Sequence, residues 1–220
     1  MQELPIEEGQ LVAGKYRIER VIGSGAMGVV VAAWHVELAQ RVAVKFVRPE
    51  AMGVRDAEER FRREARAAAR IRSEHVGRVM DVGTIDGGIP YMVMEFLEGQ
   101  DLADEMLRRG PLPVPEAVSY VLEAIEALAE AHTAGIVHRD LKPANLFLAR
   151  RADGTRIVKI LDFGVSKATG TRPGDMALTQ HAAMIGSPLY MSPEQMRSAR
   201  DVDARRPAPR DELPDFGGRR

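Results

Sequence analysis

Between Ile136-Val137 and Leu146-Phe147-Leu148 the chain reads His138-Arg139-Asp140-Leu141-Lys142-Pro143-Ala144-Asn145, with five polar functional groups held between two apolar segments. The flanks predict short buried strands, and Pro143 stiffens the turn between them. Polar groups on so rigid a backbone sit at fixed offsets. A carboxylate (Asp140) can take a proton, an ammonium (Lys142) can neutralise a developing anion, and a carboxamide (Asn145) can hold a metal ion. This stretch therefore reads as a catalytic loop, and the rest of the chain has to supply what it acts on.

Upstream, residues 16–22 and 29–34 are β-branched and aromatic runs joined by Gly23-Ser24-Gly25-Ala26-Met27-Gly28, which predicts an antiparallel hairpin with a glycine-rich tip. Glycine lacks the Cβ that keeps a backbone away from a ligand, so the tip can lie over phosphates with its N–H groups inward. An ordinary glycine-rich hairpin explains the same residues. A dinucleotide site fits poorly, because Gly28 leads into Val29-Val30-Val31, a strand signal, and not into a helix. Residues 41–47 predict the next strand, with Lys45 between Val44 and Phe46; a lone strand lysine usually faces solvent unless a carboxylate waits nearby. Residues 56–71 predict a helix opened by Asp56 and Glu59, with Phe61, Ala65, Ala68 and Ala69 on its apolar face and Glu64 beside it. Strands at 79–83 and 90–95 follow, then a short helix at 101–109 and a long one at 115–134. On the long helix Val118, Val121, Leu122, Ile125, Leu128 and His132 share a face, and that helix needs partners on more than one side.

A chain of 220 residues, 45% hydrophobic and 29% charged, can bury a core as one globular unit in two lobes. A net charge of −1 gives no general attraction to nucleic acid or to an acidic membrane surface. The absence of cysteine excludes disulfides and thiolate metal sites and suits a reducing compartment. The N-terminus is acidic without an apolar core, and no apolar run approaches the roughly 18 residues that span a bilayer. A soluble, cytoplasmic chain is expected.

The loop at 138–145 resembles the catalytic loop H-R-D-L-K-P-x-N of eukaryotic-type serine/threonine protein kinases in their bacterial form, and three further motifs of that family stand in order. Gly23 to Val30 fits G-x-G-x-x-G-x-V, Val42-Ala43-Val44-Lys45 fits V-A-x-K, and Asp162-Phe163-Gly164 fits D-F-G. The resemblance implies an α+β, two-lobed kinase-like fold: a small antiparallel sheet with one helix at 16–95, a hinge at 95–99 and an incomplete, mainly helical lobe at 100–199, preceded by an extension at 1–15. It also implies ATP and Mg²⁺ as cofactors and transfer of the γ-phosphate to Ser or Thr hydroxyls of protein substrates, with this chain itself or another kinase among them.

By that resemblance Asp140 accepts or orients the substrate proton, Lys142 neutralises the γ-phosphate, and Asn145 and Asp162 hold Mg²⁺. Lys45, fixed by Glu64, meets the α- and β-phosphates, while Gly23, Ser24, Gly25, Ala26 and Gly28 cover them. Met94 guards the back of the adenine pocket, the backbones of Glu95 and Leu97 bind the adenine edge, and Val30, Ala43 and Phe147 sandwich the base, although plain core residues would read the same. Arg139 implies control through phosphorylation of the following segment, where Thr169, Thr171 and Thr179 are candidates. Ser187 stands where the family has threonine and keeps the hydroxyl that can bridge Asp140 and Lys142. After Glu194 the resemblance runs out. Residues 200–220 are rich in Pro, Gly and Arg, without apolar period, and are expected to be a disordered, non-native tail. Activity of so truncated a chain is then in doubt, and two alternatives stand beside the enzyme: an inactive nucleotide-binding module acting through contacts with a partner, and a non-functional frameshifted fragment.

Overall fold

The computed structural model describes residues 6–25, 28–48, 61–62, 65–66, 68–85, 88–163 and 188–191. Six strands, β1 (Leu11–Val12), β2 (Tyr16–Gly25), β3 (Gly28–His35), β4 (Gln40–Val47), β5 (Val79–Ile85) and β6 (Ile89–Glu95), form one sheet in the order β1-β2-β3-β4-β6-β5. Every neighbouring pair is antiparallel. The alternation that β-branched runs impose divides the sheet into two faces. Val31 and Ala33 of β3, Val42, Val44 and Phe46 of β4, and Tyr91 and Val93 of β6 form one core with Tyr16 and Ile18. On the other face Met92 packs with Phe61 and Ala65 of the helical segment within 61–68. The stretch at 1–15, set apart above as an extension, supplies β1 and buries Val12 in the first of these cores.

Two contacts fix the strand spacing. A Cβ on Gly28 would stand 1.9 Å from the Phe46 carbonyl oxygen, so β3 lies against β4 only because glycine is there. At the other side, the Tyr16 hydroxyl donates to Asp81 Oδ2 at 2.8 Å, and its ring meets His35 edge-on with centroids 5.0 Å apart. Burial, and then the Asp81 carboxylate, push this phenol well above its usual pKa, so it remains a donor.

The second body is a three-stranded antiparallel sheet, β7 (Gly99–Asp101), β8 (Leu146–Arg150) and β9 (Arg156–Ile160), with helices α1 (Leu102–Arg109) and α2 (Val114–Thr133) packed on it. Asp101 caps α1 by accepting from the Asp104 N–H at 2.9 Å. Glu105 then ties the helix down: its carboxylate, fully buried, accepts from Arg108 at 2.6 Å, Arg109 at 2.9 Å and Arg156 of β9 at 2.7 Å, and also from Gln100. Such a buried acid is tolerated because every lone pair finds a cation or an amide.

α2 departs from the expected orientation. Its inward face is Tyr120, Ala124, Ala127 and Ala131, which join Leu146, Leu148, Val158 and Ile160 in a core that also takes in Ala68, Ile71 and Val76. Of the face read from hydrophobicity, Val118, Val121, Leu122 and Ile125 point outward and are 50 to 60% exposed, His132 is half-buried, and Leu128 packs against this core. The small alanines win the inner side because they let the helix axis come close to the sheet, which larger side chains would hold off. The flank at 136–137 also forms no strand; it leaves the end of α2 with the Ile136 N–H bonded to Ala131 O at 2.8 Å. No helix among the described residues is long and apolar enough to cross a membrane.

Candidate functional site

The loop at 138–145 is rigid for reasons visible in its bonds. His138, 3% exposed, is bonded through Nε2 to Leu161 O at 2.8 Å, and its Nδ1 accepts from the Asp140 N–H at 3.2 Å. Its ring packs edge-on against Phe163, with centroids 4.9 Å apart. One histidine thus locks the loop to the segment after β9. A short 3-10 turn, Pro143–Asn145, then brings the Asn145 amide back to Asp140, with Nδ2 donating to the Asp140 carbonyl at 2.7 Å and lying 3.4 Å from its Oδ2. Lys142 Nζ lies 3.2 Å from the same carboxylate oxygen. Arg139 is held at a φ of 62° and Asp162 at 59°, left-handed values that a non-glycine residue keeps only where its surroundings enforce them.

Asp162 is drawn to this loop because the preceding Leu161 N–H bonds Asn145 O at 2.9 Å. From the first sheet, Lys45 reaches across to it, with Nζ 2.5 Å from Asp162 Oδ1. Lys45 is 7% exposed while the Asp162 side chain is 36% exposed, so a buried ammonium meets a partly exposed carboxylate 117 residues away in sequence. The lysine that a strand would ordinarily turn to water therefore does have a carboxylate, though the described partner is Asp162. Glu64 lies outside the described residues, as do Ala26, Thr169, Thr171, Thr179 and Ser187.

Beside the pair is a mainly apolar cavity of about 130 Å³. Val30, Ala43, Lys45, Met94, Glu95, Leu97, Phe147 and Asp162 all line it, so residues from β3, β4, β6, the hinge, β8 and the segment after β9 meet there. Ile22, Gly77 and Leu161 line it too and were not singled out from the sequence. Ile22 and Leu161 each directly precede a motif, a signal that adjacency alone could have supplied; Gly77 has none. Met94 also lines a smaller space behind, with Phe163. The Glu95 N–H is already bonded to Arg78 O at 3.0 Å, which leaves its carbonyl as the backbone group at that position able to meet a ligand. Gly23 and Gly25 pair with Val30 and Gly28 across the hairpin; a Cβ would meet nothing nearer than 3.8 Å at Gly23 and nothing within 4 Å at Gly25.

Among the described residues no group of three or more His, Cys, Asp or Glu side chains could hold a metal by itself. One carboxylate with one carboxamide, Asp162 and Asn145, nevertheless suits Mg²⁺, which keeps several waters and takes phosphate oxygens to complete its shell.

A lysine, a loop carboxylate and an apolar cavity thus meet between the two sheets. The chain belongs to the protein kinase domain family, which it matches over residues 16–205. It is 39% identical over 191 residues to serine/threonine-protein kinase pkn3 of Myxococcus xanthus, covering 87% of this chain and 35% of that protein. It is 38% identical over 197 residues to serine/threonine-protein kinase PknB of Mycobacterium leprae, covering 88% and 30%. The structure is similar to that of the Mycobacterium tuberculosis PknI kinase domain, with a TM-score of 0.65 and 33% identity over 73% of this chain and 63% of that one. The chain thus spans about a third of the curated relatives it matches. As a family, protein kinases use ATP and Mg²⁺.

Proposed function

We propose that this chain carries the ATP site and the phosphate-transfer residues of a serine/threonine protein kinase, within a first lobe at 16–95, a hinge at 95–99 and a partial second lobe at 100–199. The observation that carries this reading is the Lys45–Asp162 pair at 2.5 Å, joined through Leu161 to the loop where Asp140, Lys142 and Asn145 touch one another. Lys45 would take the α- and β-phosphates, and Val30, Ala43 and Phe147 would enclose the base against the carbonyl of Glu95 and the backbone of Leu97. Asn145 and Asp162 would hold Mg²⁺, which supplies charge neutralisation at the phosphates. Asp140 would orient a substrate hydroxyl and accept its proton, and Lys142 beside it would offset the negative charge of the γ-phosphate. Lys142-Pro143 follows the serine/threonine form of the loop, so protein Ser and Thr hydroxyls, those of this chain or another kinase included, are the proposed acceptors. Arg139 would receive a phosphate placed on Thr169, Thr171 or Thr179, and Ser187 would bridge Asp140 and Lys142.

A second reading is favoured by the outward face of α2, where Val118, Val121, Leu122 and Ile125 offer apolar surface of the kind that contacts another protein. On it the chain binds nucleotide but acts through a partner. Phosphotransfer to a Ser/Thr substrate, measured beside Asp140→Asn with ATP binding in parallel, separates the two. A fall of about a hundredfold or more in the variant supports the enzyme. ATP binding without transfer supports the module, and neither would remove both.

A further inference from the structure

Lys159 of β9 sits where a strand lysine has every reason to extend into water, yet its Nζ donates to Glu95 Oε1 at 2.8 Å and reaches Val76 O at 3.5 Å. The same Glu95 oxygen accepts the Arg78 N–H at 2.8 Å. Both side chains are largely covered, 14% and 23% exposed, so the pair is better shielded than a surface ion pair and more strongly directional. It joins three pieces of chain: the hinge end of β6, strand β9, and the segment 75–78. That segment is itself sewn to β9, with the Ile160 N–H on His75 O at 2.8 Å and the Gly77 N–H on Ile160 O at 2.9 Å. A side chain that immobilises this many groups fixes the direction of the Glu95 peptide.

That direction matters because the Glu95 N–H is taken by Arg78 O at 3.0 Å, so the carbonyl is the Glu95 backbone group that the proposed site would use. Glu95 lines the 130 Å³ cavity, whereas Lys159 does not and lines a separate cavity of about 450 Å³ that Glu95 also borders. Replacing Lys159 therefore removes no atom lining the nucleotide cavity.

Resting on the proposed ATP site, we propose that Lys159, through the Glu95 carboxylate, is a positioning residue that aims the Glu95 carbonyl at the amino edge of adenine. Its effect falls on recognition of the base and not of the phosphates, which Lys45 would hold from a different strand.

The test titrates adenosine and inorganic tripolyphosphate separately into the parent chain, Lys159→Met and Lys159→Arg. Loss of one well-placed hydrogen bond predicts adenosine affinity weakened about threefold or more in Lys159→Met, tripolyphosphate affinity unchanged, and adenosine binding retained in Lys159→Arg. Should Lys159→Met not fold, Lys159→Leu, which likewise removes the donor, carries the same comparison. A smaller change in adenosine binding, or an equal weakening of both ligands, overturns the inference while the ATP site stands. If the parent chain binds no adenosine, the ATP site itself falls, and this inference with it.

Discussion

At Gly25 a side chain would meet open space, whereas at Gly28 the same atom would collide with the Phe46 carbonyl. Two glycines of one motif therefore answer to different needs: Gly28 to the fold, and Gly25 to whatever approaches the hairpin tip. Gly28→Ala is expected to cost about 1–3 kcal/mol of stability in urea denaturation. Gly25→Ala should leave the unfolding midpoint unchanged and weaken ATP binding in a parallel titration. Glu105 makes a separate prediction. The arginines at 109, 108 and 156 hold its carboxyl down from 4.5 to about 2, against the opposing effect of burial. A carboxyl lowered on folding adds stability that is full above its unfolded value, about 4.5, and is lost as pH falls toward 2. Thermal melts of the parent and Glu105→Gln should therefore differ most near neutral pH, and the gap should shrink as the pH drops from about 5 to about 3. A gap independent of pH would mean that the arginines do not hold the acid. None of these partners was legible in the sequence, where Glu105 is one of two acids on a short amphipathic helix.

The long helix shows why element orientation is harder to read than element type. Its apolar period was plain, but α2 has two apolar faces, a large one at 118, 121, 122 and 125 and a small one at 124, 127 and 131. Hydrophobicity ranks the first higher. Packing chose the second, since helix and sheet gain most dispersion contact when small side chains let their backbones approach. Ala127→Leu should accordingly lose about 1–3 kcal/mol, whereas Leu122→Lys should change stability by no more than about 0.5 kcal/mol. Both follow from urea midpoints, and a reversed order would place the wrong face inward. β2 to β4 were easier, because alternation and the glycine turn are local signals that specify strand pairing directly.

On the scale of the whole molecule, one core covers one face of the first sheet and another lies between α2 and the second sheet, and the candidate site is lined by the opposite face of the first sheet together with β8 and the segment after β9. A ligand held by both bodies stabilises them together by mass action, about 2.7 kcal/mol at a hundredfold excess over Kd. ATP with Mg²⁺ should raise the Tm of the parent chain. Lys45→Met should lose most of the ATP shift while keeping that of adenosine, because it removes the phosphate partner and leaves the base contacts. Equal shifts for both ligands in both proteins, measured by scanning fluorimetry, would show that Lys45 does not face the phosphates.

The order and spacing of the motifs, the period of each strand and the chemistry of the loop at 138–145 were set by the sequence, because they depend on neighbours only a few residues away. Tertiary packing decided the rest. It brought Lys45 to Asp162 across 117 residues and Lys159 to Glu95 across 64, chose the alanine face of α2, and made Gly77 part of the cavity wall. Those outcomes depend on how closely two surfaces can approach, a distance set by the shapes of both and carried by neither segment alone.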